Sequence, residues 1–153
     1  MRLRGLREHP DAFTSSADAE AAKPVAATQA RLAADSPDVV YGAFVDGVLA
    51  GVVGMARESR SKNRHKAVVF GMYVAPEFGR RGVARALIRH LVAAAKEEPG
   101  LEQLVLTVTH SNEPARLLYE SEGFRSFGIE PRAIRVDDRY YDKADMIRFL
   151  MAG

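Results

Sequence analysis

The segment MYVAPEFGRRGVARALIRHL, residues 72–91, is the most informative part of this sequence. A run of strand-forming residues leads into Pro76, then into a segment of glycines and arginines, where an amphipathic pattern begins at once. Apolar residues between positions 83 and 95 recur at the spacing of a helical turn, which predicts a helix over about residues 82–96. A glycine-rich turn therefore joins a predicted strand to a predicted helix.

Such a turn is suited to binding an anion. The first turn of a helix leaves about four N–H groups unpaired, and the helix dipole adds roughly half a positive charge, so phosphates bind well there. Gly79 and Gly82 allow a ligand to approach the backbone, and Arg80, Arg81 and Arg85 add positive charge. The stretch matches neither a P-loop nor the G-x-G-x-x-G fingerprint, so a tight turn with solvated arginines remains an equal alternative.

The composition indicates one globular domain over residues 1–153, since 47% of the residues are hydrophobic and 27% are charged. The net charge of +2 is too weak to favour nucleic acid or membrane binding by the whole protein. Cysteine is absent, which excludes a thiolate nucleophile, and the four histidines lack the spacing of metal ligands. No apolar run approaches the ~20 residues of a membrane span. We therefore expect a cytoplasmic protein without a bound metal.

The order of predicted elements gives the fold class. The first 38 residues read as alanine-rich helices, and Asp46-Gly47 between two apolar runs predicts a β-hairpin. The basic segment RSKNRHK, residues 60–66, reads as a solvated turn, with a nucleic-acid patch as the less favoured alternative. A third strand, AVVFGMYV, precedes the helix over residues 82–96.

Further along, LEQLVLTVT predicts a strand and SNEPARLLYESEGF a short helix that is capped by Ser111 or Asn112 and ends at Gly123. FRSFG and DMIRFLM predict two closing strands, and residues 129–143 between them read as a long functional loop. The predicted order is helices, three strands, a helix, a strand, a helix and two strands. This order indicates an α/β domain with a mixed sheet.

A second group of residues lies on the short helix. Asn112, Ala115 and Tyr119 are spaced so that they share one helix face, where the small alanine leaves a groove between two polar side chains. The alternative is a core tyrosine whose hydroxyl finds a partner.

Together these features resemble the GCN5-related N-acetyltransferase (GNAT) superfamily. The segment GRRGVA is similar to its acyl-CoA motif, which is Gln or Arg, two variable residues, Gly, one variable residue, then Gly or Ala. The segment SNEPARLLYESEGF is similar to its second motif. The resemblance implies a mixed, mostly antiparallel sheet flanked by helices. Two departures from the family pattern are expected: Gly79 stands where the family has Gln or Arg, and the usual first edge strand is either lacking or removed by a truncated start.

The resemblance further implies direct transfer of an acetyl group from acetyl-CoA to an amine. The pantetheine arm would lie along the third strand, and the pyrophosphate would meet the amides of the glycine-rich turn. The residues that would bind the cosubstrate are Met72, Tyr73, Val74, Gly79, Arg80, Arg81, Gly82, Val83, Ala84, Asn112 and Ala115. Tyr119 would be the general acid, because tyrosine titrates near ~10 and is protonated at neutral pH.

The acceptor and its base are left open. Glu8, His65, Glu130 and Asp142 are candidate bases, each more often a surface or structural residue, and a chain of waters is equally compatible. Arginines and tyrosines in residues 129–143, namely Arg132, Arg135, Tyr140 and Tyr141, would frame the pocket for a small-molecule or peptide amine. The lacking edge strand would expose the ladder of the next strand, which a second copy in a homodimer would cover.

Two other functions compete with catalysis. One is a non-catalytic acyl-CoA-binding module of the same fold. The other is a basic nucleic-acid-binding domain that would use residues 60–66 and the glycine-arginine turn. The weak net charge favours neither nucleic acid nor membrane as a partner.

Overall fold

The computed structural model describes Arg4, Arg7 and residues 38–151. Within these residues one sheet contains six strands, which are β1 Asp38–Val45, β2 Val48–Arg57, β3 Lys66–Val74, β4 Gln103–Thr109, β5 Arg125–Val136 and β6 Arg139–Phe149. The helices are α1 Val83–Lys96 and α2 Glu113–Ser121, and a 3₁₀ turn spans Pro76–Phe78. The predicted helices before residue 38 and the lacking edge strand fall outside the described residues, and one domain over residues 1–153 stays a prediction.

The sheet has the order β1-β2-β3-β4-β6-β5. Every neighbouring pair is antiparallel except β3 and β4, which run parallel and are joined by α1 as the crossover helix. The expected α/β fold with a mixed, mostly antiparallel sheet is confirmed.

The β1–β2 hairpin forms where Asp46-Gly47 predicts it. Both residues have positive φ angles, 51° and 79°, which glycine adopts freely and aspartate tolerates. This backbone twist matches that of the two flanking strands, so the turn fixes the pairing of Val45 with Val48.

The long loop predicted over residues 129–143 is wrong, because this segment is a continuous β-hairpin. β5 and β6 pair up to Val136 and Arg139, and Asp137 turns the chain with a φ of 55°. A bulge between Glu130 and Ile134 interrupts the alternation of side chains, and Pro131 lies inside it. Since β5 is an edge strand of the described sheet, a proline at a bulge removes no necessary hydrogen bond there.

α1 packs its apolar stripe on one face of the sheet. The stripe's six buried residues are Val83, Leu87, Ile88, Leu91, Val92 and Ala95. They join Val53, Val69, Leu104 and Met146 of the sheet in one buried cluster, to which α2 adds Tyr119. Burial of each large aliphatic side chain contributes about 1.5–3 kcal/mol, so this layer stabilises the fold. Neither helix in the described part of the chain is long and apolar enough to cross a membrane.

Gly51 in β2 allows α1 to lie close to the sheet. A Cβ atom at this position would lie 3.0 Å from the Tyr73 carbonyl oxygen and 3.1 Å from both Leu87 Cδ1 and Val74 Cγ2. We predict that Gly51→Ala destabilises the fold by about 1–3 kcal/mol through overpacking, as measured by urea unfolding.

Gly128→Ala is the matched control for this variant. It also places a methyl group on a strand, but its Cβ would meet only Asp145 Oδ2 at 3.9 Å, an ordinary contact. Equal stabilities of the two variants would contradict the close approach at Gly51.

Candidate active site

The sheet opens between its two parallel strands. β3 pairs with β4 only from Lys66 to Val68, opposite Gln103 to Val105. Beyond these residues β3 continues alongside β2 alone, while β4 continues alongside β6. The facing edges therefore separate towards the ends of both strands and leave a gap that an extended ligand could line as an added strand.

A bulge at Gly71 bends β3 where the gap begins. Val53 of β2 lies between the pairs Val52–Tyr73 and Gly54–Phe70, so β3 carries an extra residue there, and Gly71 has a φ of 65°. Bulges of this kind bend a strand and increase its twist.

The bulge also reverses the side-chain alternation of β3. Val74 pairs with Gly51 on the face that carries α1, so buried Tyr73 points to the opposite face. The segment Met72, Tyr73 and Val74, expected to bind the pantetheine arm, thus follows the bulge and borders the gap.

The N-terminus of α1, called its mouth below, presents unpaired N–H groups. Gly82 is the N-cap, with a φ of 73° and no side-chain cap, and Arg80 also has a positive φ of 63°. Within the described residues, no acceptor pairs with the backbone N–H groups of residues 80–85. This set includes Gly82, Val83 and Ala84, and unpaired N–H groups at a helix start are suited to an anion, so their binding of the cosubstrate stays a prediction.

Gly79 departs from the expected cradle. Its N–H group donates to the Pro76 carbonyl oxygen at 3.0 Å, so this amide does not join the unpaired set. Its φ of −60° and ψ of 151° suit any residue. The glycine therefore removes a side chain from the loop without a conformational need for it.

The three arginines of the turn differ in what they contact. Arg80 and Arg81 are exposed, and the Arg81 guanidinium lies 5.8 Å from the centre of the Phe78 ring. Arg85 does not face the mouth of α1 as expected, because its Nη1 donates to Glu122 Oε1 at 2.9 Å. Charge at the mouth thus comes from Arg80 and Arg81.

A carboxylate next to the turn, that of Glu77, pairs with Arg4. Arg4 donates through both Nη atoms to the Glu77 carboxylate, at 2.8 and 2.7 Å. These hydrogen bonds are the main reason that the pKa of Glu77 is lowered to about 2. The pairing offsets a negative charge that would otherwise repel an anion at the cradle.

Asn112 and Ala115 lie together at the start of α2. The Asn112 Oδ1 atom accepts from the Ala115 N–H group at 3.3 Å, which makes Asn112 the predicted N-cap. Capping uses the side-chain oxygen, so the amide nitrogen is the part of Asn112 suited to a ligand. Ala115 packs against the core as a small residue.

Tyr119 is buried in the core, with 7% of its surface exposed. Its ring meets Phe124 edge-on, with the ring centres 5.8 Å apart. Within the described residues no group hydrogen bonds to its hydroxyl, which leaves the O–H group for a ligand. Burial raises the pKa of Tyr119 to about 12, above the value near ~10 expected for an exposed tyrosine.

The structure does not bring the candidate bases together. Glu8 lies outside the described residues. His65 precedes β3 at the end where β3 and β4 are paired, about 25 Å along the strand from Val74. The basic segment of residues 60–66 lies at that same distant end.

The other two candidate bases lie on the β5–β6 hairpin. Asp142 Oδ1 accepts the Arg132 N–H group at 2.8 Å, which holds the bulge. Glu130 is exposed and lies opposite Lys143 in the ladder.

The hairpin end carries stacked arginines and tyrosines. Arg132 and Arg135 lie 4.7 and 5.6 Å from the centre of the Tyr140 ring, and Arg139 lies 5.6 Å from that of Tyr141. The hairpin extends beyond the end of β4, on the side where the gap opens.

Three features of the site were missed from the sequence. Gly71 inside a strand pattern is the recognised signal of a bulge and could have been found. Lys143 is buried and donates to Thr109 Oγ1 at 3.2 Å, although nothing in its sequence neighbours signals burial. His110 Nδ1 is buried without a partner among the described residues, so a polar ligand atom or a water would stabilise it.

The described residues form an α/β domain in which two parallel strands separate beside a helix start that no side chain caps. The family model described as Acetyltransferase (GNAT) family matches residues 4–124, and the chain belongs to this family. The resemblance inferred from GRRGVA and SNEPARLLYESEGF is thereby confirmed.

Curated relatives include two enzymes of Escherichia coli strain K12. The [Ribosomal protein bS18]-alanine N-acetyltransferase is 42% identical over 64 residues, which are 42% of this chain and 43% of the relative. The L-amino acid N-acetyltransferase AaaT is 31% identical over 106 residues, 69% of this chain and 65% of the relative. The chain thus matches less than half the length of the first relative and just under two thirds of the second.

Solved structures support the fold. The ribosomal-protein-S18-alanine N-acetyltransferase from Escherichia coli has a TM-score of 0.73 at 23% identity, covering 99% of this chain and 90% of that one. A GCN5-related N-acetyltransferase from Kribbella flavida has a TM-score of 0.79 at 24% identity, covering 96% and 89%.

The cradle backbone gives a stability prediction for Gly82. No atom lies within 4 Å of a Cβ atom built there, so the cost of Gly82→Ala comes from the positive φ and should be about 1–2 kcal/mol of unfolding free energy. Gly128→Ala is the control, since its φ is not positive and its Cβ would meet only Asp145 Oδ2 at 3.9 Å, an ordinary contact. A larger loss for Gly128→Ala in urea unfolding would contradict this assignment.

The burial of Tyr119 gives a prediction about alkaline stability. Because its pKa is about 12 in the folded state and near 10 when unfolded, the unfolded chain loses this proton first as the pH rises. The contribution is intact below pH 10 and is lost between about pH 10 and 12. Over that range wild type should lose up to about 3 kcal/mol more stability than Tyr119→Phe.

Urea unfolding of both proteins at several pH values measures this difference. The other tyrosines and the lysines contribute equally to the pH dependence of both proteins, so their contributions cancel. Parallel curves for the two proteins would show that Tyr119 is not held protonated by burial.

Proposed function

We propose that this protein transfers an acetyl group from acetyl-CoA directly to the primary α-amine of an amino acid or a peptide. The observation that carries the proposal is the gap between β3 and β4, which opens between the uncapped mouth of α1 and the start of α2, the helix that carries Tyr119. A ligand with an anionic end and an extended arm fits these two features together.

The chain's own groups fit acetyl-CoA in two ways. The unpaired amides of residues 80–85 suit the pyrophosphate, with Arg80 and Arg81 adding positive charge. The backbone of Met72, Tyr73 and Val74 would hold the pantetheine arm as if it were a strand, and the Asn112 amide nitrogen would meet it from the other side. When bound, acetyl-CoA supplies an activated acyl group as a thioester.

Tyr119 would act on the leaving sulfur. Its pKa of about 12 keeps the phenol protonated throughout the physiological range, so it is always a hydrogen-bond donor. The oxyanion donor would be a backbone N–H group in the segment after the bulge, near Tyr73 or Val74.

The acceptor proposed here has a low amine pKa. An α-amine titrates near ~8, whereas a lysine amine titrates near ~10.4, so an α-amine is partly neutral at physiological pH without a strong base. This agrees with a described site in which Asp142 is engaged and His65 is distant. Two relatives are named for action on an alanine of a ribosomal protein and on L-amino acids, and both of these acceptors are α-amines.

The second candidate function is a non-catalytic acyl-CoA-binding module. It is favoured by the position of two candidate bases, since Asp142 is engaged by the Arg132 N–H group and His65 lies at the distant end of β3. The cradle alone would serve binding.

One experiment separates the two functions. Thiol release from acetyl-CoA is measured with free L-amino acids, with a peptide that begins with alanine, and with a lysine whose α-amine is blocked. We expect release with one or both α-amine acceptors and little with the blocked lysine. Binding of CoA without release for any amine would favour the binding module, and no rise in melting temperature with saturating CoA would contradict both.

Tyr119→Phe tests the proposed acid. The substitution keeps the ring in the core and removes only the hydroxyl, so we expect kcat to fall about 10²–10³-fold with CoA affinity little changed. The matched control is Tyr41→Phe, which removes a hydroxyl on β1, at the edge of the described sheet away from the gap. An unchanged kcat for Tyr119→Phe would remove Tyr119 from the mechanism.

A further inference from the structure

Glu122 links the two helices that border the gap. It is the C-cap residue of α2, three positions after Tyr119, and its side chain is 11% exposed. Arg85 donates to its Oε1 atom at 2.9 Å, and Arg89 Nε lies 3.1 Å from both carboxylate oxygens. Arg85 and Arg89 are one turn apart on α1, so one carboxylate of α2 holds two successive turns of α1.

Neither charge lies at the end of its own helix where the helix dipole would stabilise it. Arg85 lies in the first turn of α1, where the helix dipole disfavours a cation. Glu122 lies at the C-terminal end of α2, where the dipole disfavours a carboxylate. Each charge is thus unfavourable within its own helix, and the contact between the helices compensates both.

Further contacts fix the end of α2 to the sheet. Arg148 of β6 donates from Nε to the Glu122 carbonyl oxygen at 2.8 Å, and its guanidinium lies over Gly123. The Phe124 N–H group donates to the Tyr119 carbonyl oxygen at 3.0 Å. The backbone next to Tyr119 is therefore tied at one point to α1 and at another to β6.

We propose that Glu122 is a positioning residue that holds the amides at the mouth of α1 and the Tyr119 hydroxyl in a fixed relation. The inference rests on the proposed function for its kinetic consequence. The same ion pair turns Arg85 away from the mouth, so the cradle keeps its backbone donors uncovered. A ligand that binds at the mouth of α1 then changes the environment of Tyr119 through Glu122.

The kinetic test is a double-mutant cycle. Glu122→Gln keeps the size of the side chain and one acceptor oxygen but removes the charge that holds both arginines. We expect kcat for an α-amine acceptor to fall about tenfold in the wild-type background and to change little further in the Tyr119→Phe background. Equal losses in both backgrounds would show a general structural effect and overturn the proposal.

Matched variants guard against loss of folding. Glu120→Gln removes a charge from an exposed neighbour on α2 that makes no ion pair within the described residues, and should leave kcat unchanged. Arg89→Gln removes one of the two partners of Glu122 from an exposed site, and should show a smaller loss in the same direction.

A second readout needs no acetyl transfer. The protein is labelled with ring-¹³C tyrosine, the Tyr119 signal is assigned from Tyr119→Phe, and CoA is titrated. We expect CoA to shift this signal in wild type and to shift it less in Glu122→Gln. An equal shift in both proteins would overturn the positioning role while leaving the proposed function intact, whereas a wild type that binds no CoA would refute the proposed function itself.

Discussion

The site depends on the early separation of β3 from β4. The two strands share only three paired positions, Lys66 to Val68 opposite Gln103 to Val105. Because they run parallel, their carboxyl ends lie at one edge of the sheet, and the helix that follows each strand begins there. The positive φ of Gly71 and the extra residue beside Val53 allow β3 to bend where pairing ends. The mouth of α1, the start of α2 and the gap between them therefore follow from one local irregularity.

The proposed anion cradle would rely on backbone groups more than on side chains. Gly79 contributes no side chain, Arg85 is paired with Glu122, and Arg80 and Arg81 are exposed. What remains fixed is the set of N–H groups ordered by the positive φ of Gly82. Backbone donors lose little freedom on binding and do not titrate, so anion binding at this loop should vary little with pH.

The sequence predicts the regular parts of the fold because their patterns are strong. The stripe of α1, the Asp46-Gly47 turn and the Asn112 cap each combine a local propensity with a periodic burial pattern, and the structure confirms all three. The prediction of a loop over residues 129–143 was wrong because an edge strand that contains Pro131 and charged side chains shows no clear alternation of apolar and polar residues. The ion pair of Glu122 and the burial of Lys143 were not predictable, since both are set by contacts between distant segments.

The burial of Tyr119 limits what it does in the proposed reaction. Its pKa of about 12 exceeds that of a thiol in water, near ~8.5, by about 3.5 units, so complete transfer of the proton to a solvated thiolate would be uphill by about 5 kcal/mol. Two consequences are open to it. The hydroxyl can donate a hydrogen bond to the developing thiolate without giving up its proton, or the sulfur can leave in the same desolvated space, where burial raises the pKa of the thiol as well. In both cases the exclusion of water that makes tyrosine a weaker acid makes its hydrogen bond stronger, because the local dielectric is low. The core position of Tyr119 is thus compatible with a role in catalysis. Because burial makes the phenol a weaker acid, its main contribution in the proposed reaction would be a hydrogen bond to the sulfur, with proton transfer less important.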